Sequence, residues 1–170
     1  KKKFKYIDYD INEIEKKVGF KISKNQNVIE HSPLILKYLS DISKNINNKK
    51  GGLLIIDYGY LEDSMKDTLI SVKNHKIVDI FKQSGNSDIT FKLNFKIIRK
   101  IINKLKLKCQ GITTQRNFLM SLGIQQRAEI LSRNLPFSKK ADIYYRLKRL
   151  IDKNQMGNLF KVMFVTNRKI

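Results

Sequence analysis

The residues best placed to do chemistry sit at the end of one short apolar run. Gly51 and Gly52 open it, Leu53, Leu54, Ile55 and Ile56 follow without interruption, and Asp57, Tyr58, Gly59 and Tyr60 close it. A continuous apolar run bounded by glycine suits a strand buried on both faces, as in a parallel sheet with helices above and below. In open sheets of that kind ligands gather outside the carboxyl ends of the strands, where Asp57, Tyr58 and Tyr60 stand. Asp57 is either a ligand carboxylate or a turn cap, with Gly59 supplying a left-handed backbone. Asp67 and Asp88 are further acids, each able to serve a ligand or a turn. His75 is either a base or part of a turn at Asn74-His75. Gln115 either bonds a substrate or caps the helix that follows it.

Other chemistries find no support. One cysteine (Cys109) and two distant histidines (His31 and His75) do not give metal-ligand spacing. There is no P-loop, no zinc-finger pattern and no Ser-His-Asp arrangement of known spacing. A lone cysteine excludes an internal disulfide. No apolar run approaches the roughly 20 residues of a membrane helix, so no membrane insertion is expected. Lys1–Lys3 is not followed by the apolar stretch of a signal peptide. With 35 Lys and Arg against 15 Asp and Glu, the net charge is +20. Such a balance attracts nucleic acid or an anionic membrane. However, the lysines are spread along the chain without interleaved aromatics, which fits compositional drift better. The 170 residues suit one domain, and an opening Lys in place of Met suggests a piece of a longer protein.

Certain elements must position these residues. Phe4–Ile11 alternates like a strand, Glu13–Lys17 reads as a charged turn, and Val18–Ser23 as a second strand. Ser32 then Pro33 opens a helix running to about Asn47. Asp67–Lys73 and Lys76–Phe81 form an extended pair, and 83–88 a loop. Asn94 caps an amphipathic helix over Phe95–Leu105. Leu107–Thr114 returns as a strand, and Arg116–Ser121 and Ile124–Arg133 are helices broken at Gly123. A basic helix follows Pro136, carrying Lys139, Arg146, Lys148, Arg149 and Lys153, and Leu159–Val165 is a closing strand after a turn at 156–158.

Several runs in order resemble one family. They are Gly51–Tyr60, Asp67-Thr68-Leu69 with His75, Gly85 with Asp88-Ile89-Thr90 and Asn94-Phe95, Thr114-Gln115 with Phe118-Leu119 and Leu122-Gly123-Ile124, and Arg149-Leu150-Ile151 with Met156-Gly157. Together they resemble the C-terminal half of the MidA-like class I S-adenosylmethionine-dependent methyltransferases, whose mitochondrial members are arginine methyltransferases needed for respiratory complex I assembly. The similarity runs from about Val28 to the end.

The resemblance implies an α/β fold, the C-terminal part of a Rossmann-like three-layer sandwich with helical and strand insertions. Residues 53–56 would be the fifth of seven strands, and 1–170 a single partial domain. It implies S-adenosylmethionine as cofactor, a protein arginine as acceptor, and a bacterial cytoplasm or mitochondrial matrix as location. Asp57, Asp67 and Asp88 would be the acids that hold a guanidinium, with Tyr58, Tyr60, His75 and Gln115 beside them. Asn94 replaces the family's usual Asp, and Lys92 its usual His or small acidic residue. The family's glycine-rich cofactor loop has no counterpart here, so the cofactor site is expected mostly outside this chain, on a missing N-terminal half. The alternative is a non-catalytic basic α/β module that binds nucleic acid or a protein.

Overall fold

A computed structural model describes residues 8–22, 26–82 and 85–167. The first helix, α1 (Ile11–Val18), is capped by the Asp10 carboxylate, which accepts the Asn12 N–H at 2.8 Å, and ends at Gly19 in the left-handed conformation. This corrects the expected turn at Glu13–Lys17 and the strand from Val18. Ile11, Ile14 and Val18 follow helical spacing, and the buried Glu15 carboxylate anchors the turn beyond by accepting the Ile22 N–H at 2.8 Å. Half of the strand expected over Phe4–Ile11 lies outside the described residues; in the other half residues 8–10 form no strand and Ile11 already belongs to α1.

Helix α2 (Pro33–Lys49) starts as its sequence dictates. Ser32 Oγ accepts the Ile35 N–H, Pro33 occupies the first turn, and Lys50 ends the helix with a left-handed backbone. Strand β1 (Gly52–Tyr60) follows. Then come β2 (Ile70–Lys73), β3 (Lys76–Val78), β4 (Asp88–Thr90), β5 (Leu93–Asn94), α3 (Phe95–Lys104) and β6 (Leu107–Thr114). Helices α4 (Gln115–Ser121), α5 (Ile124–Ser132), α6 (Phe137–Ile151) and the short α7 (Met156–Leu159) lead to β7 (Phe160–Asn167). A helical turn, α7, replaces the simple turn expected before β7.

Four strands form the main sheet in the order β5-β1-β7-β6. The last strand inserts between β1 and β6 and runs antiparallel to both, pairing with β1 from Gly52↔Thr166 to Tyr58↔Phe160. On its other side β1 meets, among the described residues, only β5, in parallel, at Gly59↔Leu93 and Tyr60↔Asn94. Strands β3, β2 and β4 make a separate antiparallel sheet, which β2 and β3 enter through a two-residue turn at Asn74-His75. Both turn residues have positive φ, 50° and 61°, the backbone that favours Asn and suits a tight hairpin.

One face of the main sheet holds the core. Leu53, Ile55, Cys109, Ile112, Met163 and Val165 pack there against Leu39 and Ile46 of α2 and Phe95, Ile98, Ile101 and Ile102 of α3. On the opposite face Leu54, Ile56 and Phe164 stay 45%, 44% and 46% exposed. The expectation of a parallel strand buried on both faces is therefore corrected. β1 is antiparallel to its full-length neighbour, and its outer edge carries no strand from Gly52 to Tyr58 among the described residues. Because no helix layer among the described residues covers Leu54 and Ile56, the expected three-layer sandwich is incomplete on that side.

Candidate functional site

The carboxyl end of β1 is built by close approach. A Cβ on Gly59 would lie 2.3 Å from the Leu93 carbonyl oxygen and 2.6 Å from the Phe95 ring, so glycine is required here by contact. Its φ is not positive, which excludes the alternative in which Gly59 supplies a left-handed turn. The next residue, Tyr60, is buried, and its hydroxyl accepts the Lys66 N–H at 3.1 Å. Thr68 ties three segments together. Its N–H and hydroxyl both donate to Glu30 Oε1 at 2.9 Å, and its oxygen accepts the Lys92 N–H at 2.9 Å. Asn94 caps α3 by accepting the Lys96 and Ile97 N–H groups at 3.0 and 3.2 Å, and its amide donates to the Glu62 carbonyl. An amide does both jobs, so the cap explains this residue without any acid chemistry.

Two grooves open beside this end. The larger, about 700 Å³, is bounded by Tyr60, Asp67, Thr68, Lys92, Asn158 and Lys161 among others. The Lys161 ammonium donates to the Asn158 carbonyl. Burial holds it below the usual lysine range; Lys92 pushes the same way and Glu62 opposes. Lys66 pairs with Glu62 at 3.1 Å, and that bond lowers the Glu62 carboxyl. The second groove, about 350 Å³, brings together Ser32, Asp57, Tyr58 and Thr90. Tyr58 Oη and Thr90 Oγ1 are 2.6 Å apart, and the Tyr58 ring meets Phe160 edge-on at 5.2 Å. Asp57 Oδ1 accepts the Tyr58 N–H at 2.7 Å. Behind both lies an apolar cavity of about 60 Å³ between α1, α2 and α3. His31 borders it with a buried Nε2 that has no partner among the described residues. Desolvation, then the charge on Lys17, hold this imidazole below its ordinary value.

The candidate residues thus divide. Asp57 and Tyr58 line the smaller groove, Asp67 and Tyr60 the larger. Asp88 is exposed at the start of β4, and His75 is exposed in its hairpin turn; neither lines these grooves. Gln115 is buried, and its Nε2 donates to the Leu150 carbonyl at 2.9 Å. The cap of α4 is Thr114, so the capping role expected of Gln115 is corrected: it joins α4 to the end of α6. No group of three or more His, Cys, Asp or Glu side chains converges among the described residues. Sequence reading passed over Glu30 and His31, whose only signal was their place just before the Ser32-Pro33 helix start.

Residues 3–113 match the model of a family described as "Putative S-adenosyl-L-methionine-dependent methyltransferase". The chain belongs to this family. It is 31% identical over 126 residues to the mitochondrial protein arginine methyltransferase NDUFAF7 of Danio rerio, covering 74% of this chain and 29% of that protein. With the Drosophila melanogaster homologue it shares 29% over 142 residues, covering 82% and 32%. An uncharacterised Burkholderia thailandensis protein superposes with a TM-score of 0.70 at 21% identity, over 84% of this chain and 40% of that one. A second structure from that organism, bound to S-adenosyl-homocysteine, gives 0.66 at 22%, covering 78% and 35%. Both show the methyltransferase fold over part of its extent, and the chain spans about three tenths of the length of these curated relatives.

The cofactor of this methyltransferase family finds little here to hold it. A glycine-rich turn lets backbone N–H groups approach a ligand closely. Gly59, at the end of β1, is instead filled by Leu93 and Phe95, and among the other described glycines only Gly85, in the loop between β3 and β4, lies between the end of a strand and the next element. No helix of the described residues is long and apolar enough to cross a membrane.

Proposed function

We propose that this chain is the acceptor-side part of an S-adenosylmethionine-dependent methyltransferase that modifies a protein arginine, in the line of the enzymes serving respiratory complex I assembly. A bacterial cytoplasm or a mitochondrial matrix would house it, and residues 1–170 would form one partial domain. The observation that carries the reading is the sheet edge. The order β1-β7-β6, with β7 reversed between its neighbours, suits the closing end of a methyltransferase sheet, and the free side of β1 awaits the strands that would carry the cofactor.

The residues present can position an acceptor. Asp57, beside Tyr58 and Ser32, offers a carboxylate to a guanidinium in the smaller groove, where a charge-assisted pair fixes direction as well as distance. Asp67 stands in the larger groove. His75 and Asp88 lie outside both, so the proposal gives them no part.

S-adenosylmethionine titration by calorimetry tests the reading, on this chain and on one extended upstream. The expected result is binding by the extended chain and little by the 170 residues alone, with methyl transfer to an arginine-bearing protein by the extended chain. No binding by the extended chain overturns it.

A further inference from the structure

We infer that the groove at the carboxyl end of β1 binds a carboxylate-rich peptide segment, so that a protein acceptor would be held through acidic residues beside its methylated arginine. This deepens the arginine-acceptor reading and rests on it for the identity of the acceptor, though not for the binding itself.

The charges around the groove decide its preference. Lys66, Lys92, Lys153 and Lys161 line it, against one acid, Asp67. Lys66 is already paired with Glu62. Lys92 and Lys153 have no acidic partner among the described residues, and Lys161 bonds only the Asn158 carbonyl there. Three lysines without an ion pair among the described residues therefore line, with one carboxylate, a cavity of about 700 Å³, and Glu62 acts on Lys161 only at longer range. Lys161 is half-buried, so its charge is less screened than a surface lysine's. Between the charges the wall supplies amide and hydroxyl groups from Asn154, Gln155 and Thr68, and apolar surface from Ile70 and Ile77.

That mixture favours peptide over nucleic acid. Nucleic-acid surfaces interleave arginine and stacking aromatics with their charge. This groove has no arginine, and its one aromatic, Tyr60, is buried. A free arginine side chain would be repelled by the lysines, whereas acidic neighbours in the same peptide would be attracted. The small groove around Asp57 lies on the same strand end and remains open for the guanidinium.

The test uses the 170-residue chain and fluorescein-labelled peptides, each with one central arginine flanked by glutamates, by glutamines or by lysines. Anisotropy at low salt should rank glutamate above glutamine above lysine, with the preference falling as salt rises. Changing Lys92, Lys153 and Lys161 together to Gln should weaken the glutamate peptide roughly tenfold, the worth of three weak ion pairs. Changing Lys49, Lys108 and Lys139 to Gln removes the same net charge away from the groove and should leave affinity within roughly threefold. The double change Lys92→Gln with Lys153→Gln spares the half-buried Lys161 and keeps the test valid if the triple variant unfolds. Equal losses in groove and control variants, no glutamate preference, or tighter binding of a labelled DNA duplex through the same lysines would overturn the inference. Because no cofactor is involved, a failure here is separate from a failure of the methyltransferase reading.

Discussion

Replacing Gly59 with Ala is the sharpest single perturbation the structure offers. The new Cβ would sit 2.3 Å from the Leu93 carbonyl oxygen and 2.6 and 2.7 Å from two carbons of the Phe95 ring. That is roughly 1 Å inside ordinary contact. The two neighbours differ in how readily they yield. Leu93 belongs to β5, held to β1 by only two residue pairs, and Phe95 is fully buried at the first turn of α3. Overpacking of this kind costs about 1–3 kcal/mol. If β5 gives way, the adjacent Asn94 cap is disturbed at a further cost of about 1 kcal/mol. The expected total, about 2–4 kcal/mol, would read as a lower urea midpoint at unchanged m value. Each kcal/mol is also worth about 2–4 °C in Tm for a chain of this size. Gly111→Ala is the control: nothing lies within 4 Å of its Cβ position and its φ is not positive. It should be neutral or add about 0.4–1 kcal/mol through the unfolded chain. Equal midpoints for the two variants, or a Gly59→Ala protein as stable as the parent, would refute the close-approach argument.

Other outcomes follow from the same contacts. Asn94→Ala should lose about 1 kcal/mol of stability in urea unfolding, while Asn94→Asp keeps the cap and should stay within about 0.5 kcal/mol. Ile102→Ala, in the fully buried core, should cost about 2–5 kcal/mol, whereas Ile56→Ala, on the open face, should cost under about 1 kcal/mol in the isolated chain. Thr68→Val removes a hydroxyl that bonds Glu30 and Lys92 and should cost about 1–3 kcal/mol, read in the same assay. His31 makes stability depend on pH. Its folded value lies below its ordinary 6.5, so the folded chain binds fewer protons than the unfolded one just beneath that value. Stability contributed by the neutral imidazole is full above that point and declines as pH falls toward the folded value. The urea midpoint should therefore drop as the pH falls below about 6.5, and His31→Phe should flatten that drop.

Much of this protein was legible without coordinates, where local physics decides. Ser32-Pro33 specifies the start of α2, Asn94 caps α3, Asn74-His75 turns a hairpin, and the apolar spacing of α3 and α6 sets their faces. These signals depend on neighbours a few residues apart. The family, too, is carried by short runs in order, because each supplies its own turn or strand end. Less was legible where distant segments meet. The stretch at Glu13–Lys17 looked like a turn because its charges mask the spacing of Ile11, Ile14 and Val18. The Leu53–Ile56 run pointed to burial on both sides, since hydrophobicity alone does not say how much of a sheet a chain contains.

The chain by itself determined the elements, their caps and turns, and the acid, phenol and glycine groups delivered to the end of β1. Only the tertiary structure decided which of them meet. It insists on glycine at position 59 because Leu93 and Phe95 close in on it, and it divides Asp57 from Asp67 between two grooves. It also brings Lys92 to the distant Lys153 and Lys161 around one cavity. The reason is that contacts between residues tens of positions apart depend on how sheet and helices stack, and no local pattern of charge or hydrophobicity records that.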